Sequence, residues 1–246
     1  MRRFRDVFYI NAFPENNEIV YYGMELREFV KYAPVELNKL LLLEAEYFSP
    51  GFRSRTQFEV VDKEEMEDFL KEDVYSYGNF SWVDFNQKEN IEKLESPEIA
   101  GLLYLGHMFE PIESPFFEKI ENRYAYLAHD DGWFCRVYCK YYSDFQEIIA
   151  NKVTGMVSTS KRRKIYPFPE EVKKQLLSLA VNGLLIDFSN ILKADKSIEI
   201  PIYTIGKFLD MDAMYNDLRR HIGRSRYTAR LVHKNKKWSI DYVMEK

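Results

Sequence analysis

Two short pieces of this chain hold the residue types that hydrolytic metal chemistry uses. His107 and Glu110 are three positions apart, so on a helix they share a face; His129, Asp130 and Asp131 stand together before Gly132. Imidazole and carboxylate ligands can together hold a divalent cation that turns bound water into a nucleophile. The signature patterns H-E-x-x-H, C-x-x-C and D-x-D-x-D-G are absent, so only spatial convergence of the two pieces would make a site. Asp-Gly is also what a tight turn requires unaided. Turn chemistry is therefore the expectation for Asp130 and Asp131. A metal-dependent hydrolase at His107, Glu110, His129 and Asp130 is the weaker alternative, and no metal site is assigned.

Other reaction classes have less support. There is no G-x-S-x-G nucleophile elbow, no G-x-x-x-x-G-K-[ST] and no G-x-G-x-x-G, and ten Gly in 246 residues leave little room for a phosphate-cradling loop. Cys135 and Cys139 are four apart in a strand-like run, which places them roughly 13 Å apart on one face, beyond the ~7 Å that a disulfide spans. Both read as free, buried thiols of a reducing compartment. No cofactor is expected, and a non-catalytic protein is the preferred reading.

Charge points to binding instead. Residues 1–121 carry 13 Lys/Arg against 25 Asp/Glu, whereas residues 122–246 carry 22 against 14. Arg219, Arg220, Arg224, Arg226, Arg230, Lys234, Lys236 and Lys237 follow one another without an intervening acid. Such a run builds a local positive potential that attracts nucleic acid or an acidic partner. Arg219 and Arg220 fall in the last turn of a helical pattern, where they also complement the helix dipole. The acidic stretch Glu59, Asp62, Glu64, Glu65, Glu67, Asp68, Glu72, Asp73 suits a basic protein partner, or simply a solvated face. With 16% aromatic residues, 18 of them Tyr, the chain is rich in the anchors that hold protein partners. A protein-binding role of the immunity, antitoxin or adaptor kind is the leading expectation. Nucleic-acid binding through the 219–237 face is the alternative.

The elements that must carry these residues are mixed. Val7–Phe13 and Ile19–Tyr22 read as a hairpin about Pro14–Asn17. Residues 24–48 carry a helical stripe through Leu26, Phe29, Leu37, Leu40 and Leu41, divided at Pro34. Gln57–Val61 and Asn79–Phe85 read as strands, Lys63–Lys71 as an acidic helix, and Ser96–Phe109 as a helix opened by Pro97. Tyr124–Ala128 and Trp133–Lys140 form a hairpin across the Asp-Gly turn. Ser143-x-x-Gln146 is a capping box before a further helix.

The expected division is an acidic domain over 1–153, a linker over 154–168 and a basic domain over 169–246. The last contains a helix at Pro169–Asn182 stopped by Gly183, a strand at Ile198–Thr204, a helix at Asp210–Ile222, and a hairpin across His233–Lys237. That is the element order of a winged helix without a clear second helix. Arg123-Tyr124, Leu127, His129 and Trp133 echo in Arg226-Tyr227, Leu231, His233 and Trp238, with insertions between them. Without a βαβ rhythm, the fold class is α+β with antiparallel hairpins. The longest Leu run, Leu40–Leu43, is too short to span a bilayer, and the N-terminus lacks the pattern of a secretory signal, so a cytoplasmic location is expected.

Overall fold

The computed structural model describes residues 6–43, 52–53, 58–71, 80–107, 110–129, 134–158, 165–194, 197–207 and 229–242. Helices are mixed with an extensive antiparallel sheet, as an α+β chain requires. Contacts gather the chain into two units. Unit 1 holds Met1–Pro14, Ile19–Met24 and Ser143–Lys246; unit 2 holds Glu15–Glu18 and Glu25–Tyr142.

This grouping differs from a division at 154–168. Strand β1 (Val7–Phe13) lies in register with β9 (Leu184–Asp187), Val7 opposite Asp187 and Ile10 opposite Leu184, which ties the N-terminal hairpin to the C-terminal elements. Helix α5 (Ser143–Val157) continues through the first residues of the expected linker. Residues 159–164 lie outside the described residues.

In unit 1, β2 (Glu18–Tyr22) neighbours β1, and the sheet continues through β9, β11 (Ser197–Thr204), β12 (Ala229–Lys234) and β13 (Lys237–Tyr242). The short β10 (Leu192–Ala194) pairs with β11. Helix α6 (Glu170–Ala180) packs on α5 and against β1, β9 and β13, burying the stripe Val172, Leu176, Leu177 and Ala180. Gly183 stops it at φ +75°; a Cβ there would stand 1.8 Å from the Gly206 carbonyl oxygen, which also accepts from the Tyr9 hydroxyl at 2.9 Å. Only Gly fits that crossing. The Asp210–Ile222 helix lies outside the described residues.

In unit 2 the strand order is β8 (Phe134–Cys139), β7 (Tyr124–His129), β6 (Phe80–Asp84), β3 (Leu40–Leu42), β5 (Phe58–Val61), β4 (Phe52–Arg53). The helices are α1 (Leu26–Tyr32), α2 (Lys63–Phe69), α3 (Lys88–Glu92) and α4 (Ser96–Gly106). The sheet is covered on both faces. Val83, Ala125, Leu127 and Tyr138 join one cluster with Leu102 and Leu105 of α4. The alternate residues Trp82, Tyr124 and Tyr126 gather around Phe29 of α1, Trp82 stacking on Tyr126 at 5.0 Å.

That double burial corrects the helical reading of 24–48, divided at Pro34. Among its described residues, 24–43, Leu26–Tyr32 is helical and Leu40–Leu42 is a strand between β5 and β6. A strand buried on both faces reads as a continuous apolar run, which periodicity cannot separate from a helix segment. Cys135 and Cys139 are free and buried in β8, and the Tyr126 hydroxyl lies 3.1 Å from the Cys135 sulfur. Among the described residues no helix is long and apolar enough to cross a membrane.

Candidate functional site

In unit 2 the β1–β2 turn and the segment after α4 meet in a cleft of ≈ 340 Å³ lined by Glu15, Glu18, Glu110, Glu113, Phe116 and Tyr138, among others. The turn is a single 3-10 turn over Pro14–Asn16, and Asn17 takes φ 51°, an angle Asn tolerates. The Asn17 carbonyl accepts from the Cys139 N–H at 3.0 Å, which fixes the turn beside β8. On the opposite wall, buried Asn122 accepts from Phe117 N–H at 2.7 Å and donates to the Pro115 and Tyr124 carbonyls. One side chain thus satisfies three backbone groups and holds the segment carrying Glu110 and Glu113 in place.

Asp84 steadies the strand behind this segment. Its Oδ1 accepts from the N–H of Arg123 and Tyr124 at 2.9 and 2.6 Å, at the start of β7. Burial raises its carboxyl to about 6 even though those hydrogen bonds favour the charged form.

Glu18 is the pivotal acid of the cleft. It is 7% exposed, on a strand otherwise made of Ile, Val and Tyr, and its carboxylate faces the Arg136 guanidinium at 3.2 Å. Burial pushes its carboxyl above the usual range; Arg136 and Asn16 pull it down, while Glu110 and Glu15 add to the rise. The same surroundings push the Tyr138 hydroxyl up to about 12, burial first and Glu18 second. Four carboxylates, Glu15, Glu18, Glu110 and Glu113, line the cleft, and Arg136 pairs with Glu18. Among the described residues no three His, Cys, Asp or Glu are placed to hold one metal ion. Carboxylates spread in this way suit a larger cation, such as a guanidinium.

Of the residues with metal-ligand potential, Glu110 lies in this cleft, while His107 caps the C-terminus of α4 and is exposed. His129 ends β7, opposite Phe134; Asp130 and Asp131 lie outside the described residues. The acidic helix α2 is largely engaged. Asp62 caps it and bridges Lys88, Glu65 completes the capping box, and Glu67 and Asp68 pair with Lys71.

In unit 1 the basic end is described only from Ala229. Arg219, Arg220, Arg224 and Arg226 lie outside the described residues. Arg230 pairs with Glu199 of β11 at 2.9 Å. Lys234, Lys236 and Lys237 are exposed at the β12–β13 tip, which turns through Asn235 and Lys236 with φ of 51° and 67°. Beneath the tip lies an aromatic group. Trp238 donates its indole N–H to the Tyr166 carbonyl at 2.8 Å and stacks on Phe168 at 4.5 Å. His233 lies 4.9 Å from Trp238 and near-parallel to Tyr166, and the Lys236 ammonium stands 6.0 Å from the Tyr166 ring centre.

Comparison with known families, curated proteins and solved structures finds no match for this chain.

Proposed function

We propose that the chain is a non-catalytic binding protein that receives a basic side chain of a protein partner in the carboxylate cleft of unit 2, in an immunity-, antitoxin- or adaptor-like role. The observation that carries this reading is the meeting of Glu15, Glu110 and Glu113 in one cleft around buried Glu18, with Arg136 pairing Glu18 alone. Crowded like charges are unfavourable in the free protein, and an arriving guanidinium or ammonium relieves them. The Tyr138 and Phe116 rings give the stem of such a side chain an apolar wall. Buried Cys135 and Cys139, spaced along one strand, support the cytoplasmic setting expected of the chain.

Titration with a short arginine-rich peptide tests this reading. Affinity should be lost in Glu110→Gln/Glu113→Gln and retained in Glu64→Gln/Glu67→Gln, which removes the same charge from α2. Equal losses in both variants would reduce the effect to net charge and contradict the cleft as a site.

A further inference from the structure

We propose that the β12–β13 tip of unit 1 binds single-stranded nucleic acid, with Lys234, Lys236 and Lys237 on phosphates and the Tyr166 ring as a surface for a base. This site is separate from the carboxylate cleft and does not rest on it.

The tip is built against its own stability in two ways. Asn235 and Lys236 both take left-handed angles, as a two-residue turn of this hairpin type demands. Gly is favoured at the second of these positions, where a Cβ crowds the backbone. Lys234 and Lys237 are also directly opposite in register, a cross-strand pair of like charge. Gly at 236 and a neutral residue at 234 or 237 would remove both costs. Strain held at an exposed position points to a use for it. A polyanion offsets the repulsion of all three lysines at once.

The surroundings decide which polyanion. Tyr166 is half-buried; the Trp238 indole holds its backbone carbonyl, and its ring lies near-parallel to His233, an arrangement present before any ligand arrives. An aromatic ring with the Lys236 ammonium 6.0 Å from its centre, at a tip that also carries Lys234 and Lys237, matches how single strands are held, with bases on ring faces and phosphates on cations. Acidic side chains bring no aromatic face to stack on the ring, and a paired duplex does not present its base faces. Arg230 is left out, since Glu199 already engages it.

The test is a fluorescence-anisotropy titration of the full-length chain with labelled oligo(dT) and oligo(U), alongside a duplex of equal length and polyglutamate. Saturable single-strand binding, tighter than to the duplex or polyglutamate, is expected. In Lys234→Gln/Lys236→Gln/Lys237→Gln the slope of log affinity against log salt should flatten by about 2, at ~0.7 per lost contact. Tyr166→Leu should weaken single-strand binding roughly tenfold and leave the slope unchanged. Lys236→Gly should raise the melting temperature while weakening binding, which a purely structural lysine would not do. The cleft variant Glu110→Gln/Glu113→Gln should bind oligonucleotide as the wild type does, so failure here and failure of the cleft reading are distinguishable. Absence of single-strand binding at low salt, equal binding of duplex or polyglutamate, or an unchanged slope in the triple variant would overturn the proposal.

Discussion

The hairpins β7–β8 and β12–β13 share a local plan and serve different ends. In each, a histidine lies opposite an aromatic residue five positions later: His129 faces Phe134, and His233 faces Trp238. Leu127 and Leu231 each stand two residues before the histidine, so the register relates the two tips without insertions. In unit 2, β7 lies between β6 and β8, and both faces of the pair are packed. In unit 1, β13 has one neighbour in the described sheet and buries only Trp238, while Lys237, Ser239, Asp241 and Tyr242 are exposed. The residues of the shared pattern, Leu231, His233 and Trp238, are buried in unit 1 as well. The difference lies in the residues between them, which are packed where the hairpin has strands and aromatic rings around it and charged where β13 forms a sheet edge.

The sharpest way to break this comparison is to remove Trp238, the buried residue of β13. Trp238→Ala should cost about 3–5 kcal/mol, since it removes the stack on Phe168 and the bond to Tyr166 together. Chemical denaturation checks this. A loss near that of an ordinary surface change would show that the tip is not held by Trp238.

The strand beside the buried hairpin should make stability respond to pH. The Asp84 carboxyl is raised in the folded state from 3.8 to about 6. Its contribution is therefore fully present below pH 3.8 and is lost as pH rises through about 6, by up to about 3 kcal/mol. Asp84→Asn should abolish this dependence while keeping an acceptor for Arg123 and Tyr124. Denaturation midpoints between pH 4 and 7 measure it, and a wild-type curve that is flat or rising through that window from this group would contradict the burial argument.

A smaller effect of opposite sign is expected at the tip. Lys236→Gly should stabilise the protein by about 1 kcal/mol, because it relieves a left-handed angle. The least perturbing probe is a thiol reagent: Cys135 and Cys139 should react slowly in the native protein, and fast labelling of either would show that β8 is less covered than described.

Local signals were enough for most elements. The N-terminal hairpin, β5, α2, β6, α4, the β7–β8 hairpin, α5, α6, β11 and the β12–β13 hairpin each carry their own turn, cap or alternation. Strands β3, β9 and β10 are harder to read. Leu40–Leu42 and Leu184–Asp187 are short apolar runs buried on both faces, and Leu192–Ala194 is exposed throughout and defined only by pairing with β11. The cleft was hidden for a different reason. Glu15 and Glu18 approach Glu110 and Glu113 through a turn and a loop held by Asn122, and no pattern of spacing encodes that meeting. One local sign was available: Glu18 opens a strand that is otherwise Ile, Val and Tyr, and a carboxylate there is a buried charge in need of a partner.

Glu18 also offers the most direct measurement of whether the cleft takes a cation. Carboxyl ¹³C chemical shifts followed against pH give its pKa with and without the arginine-rich peptide. In the free protein the value should lie above the ordinary 4.5, and saturation with peptide should bring it down, as a guanidinium beside the carboxylate favours the charged form. A Glu18 pKa at or below the ordinary value in the free protein, or one that the bound peptide leaves unmoved, would contradict the cleft as the place where a basic partner is held.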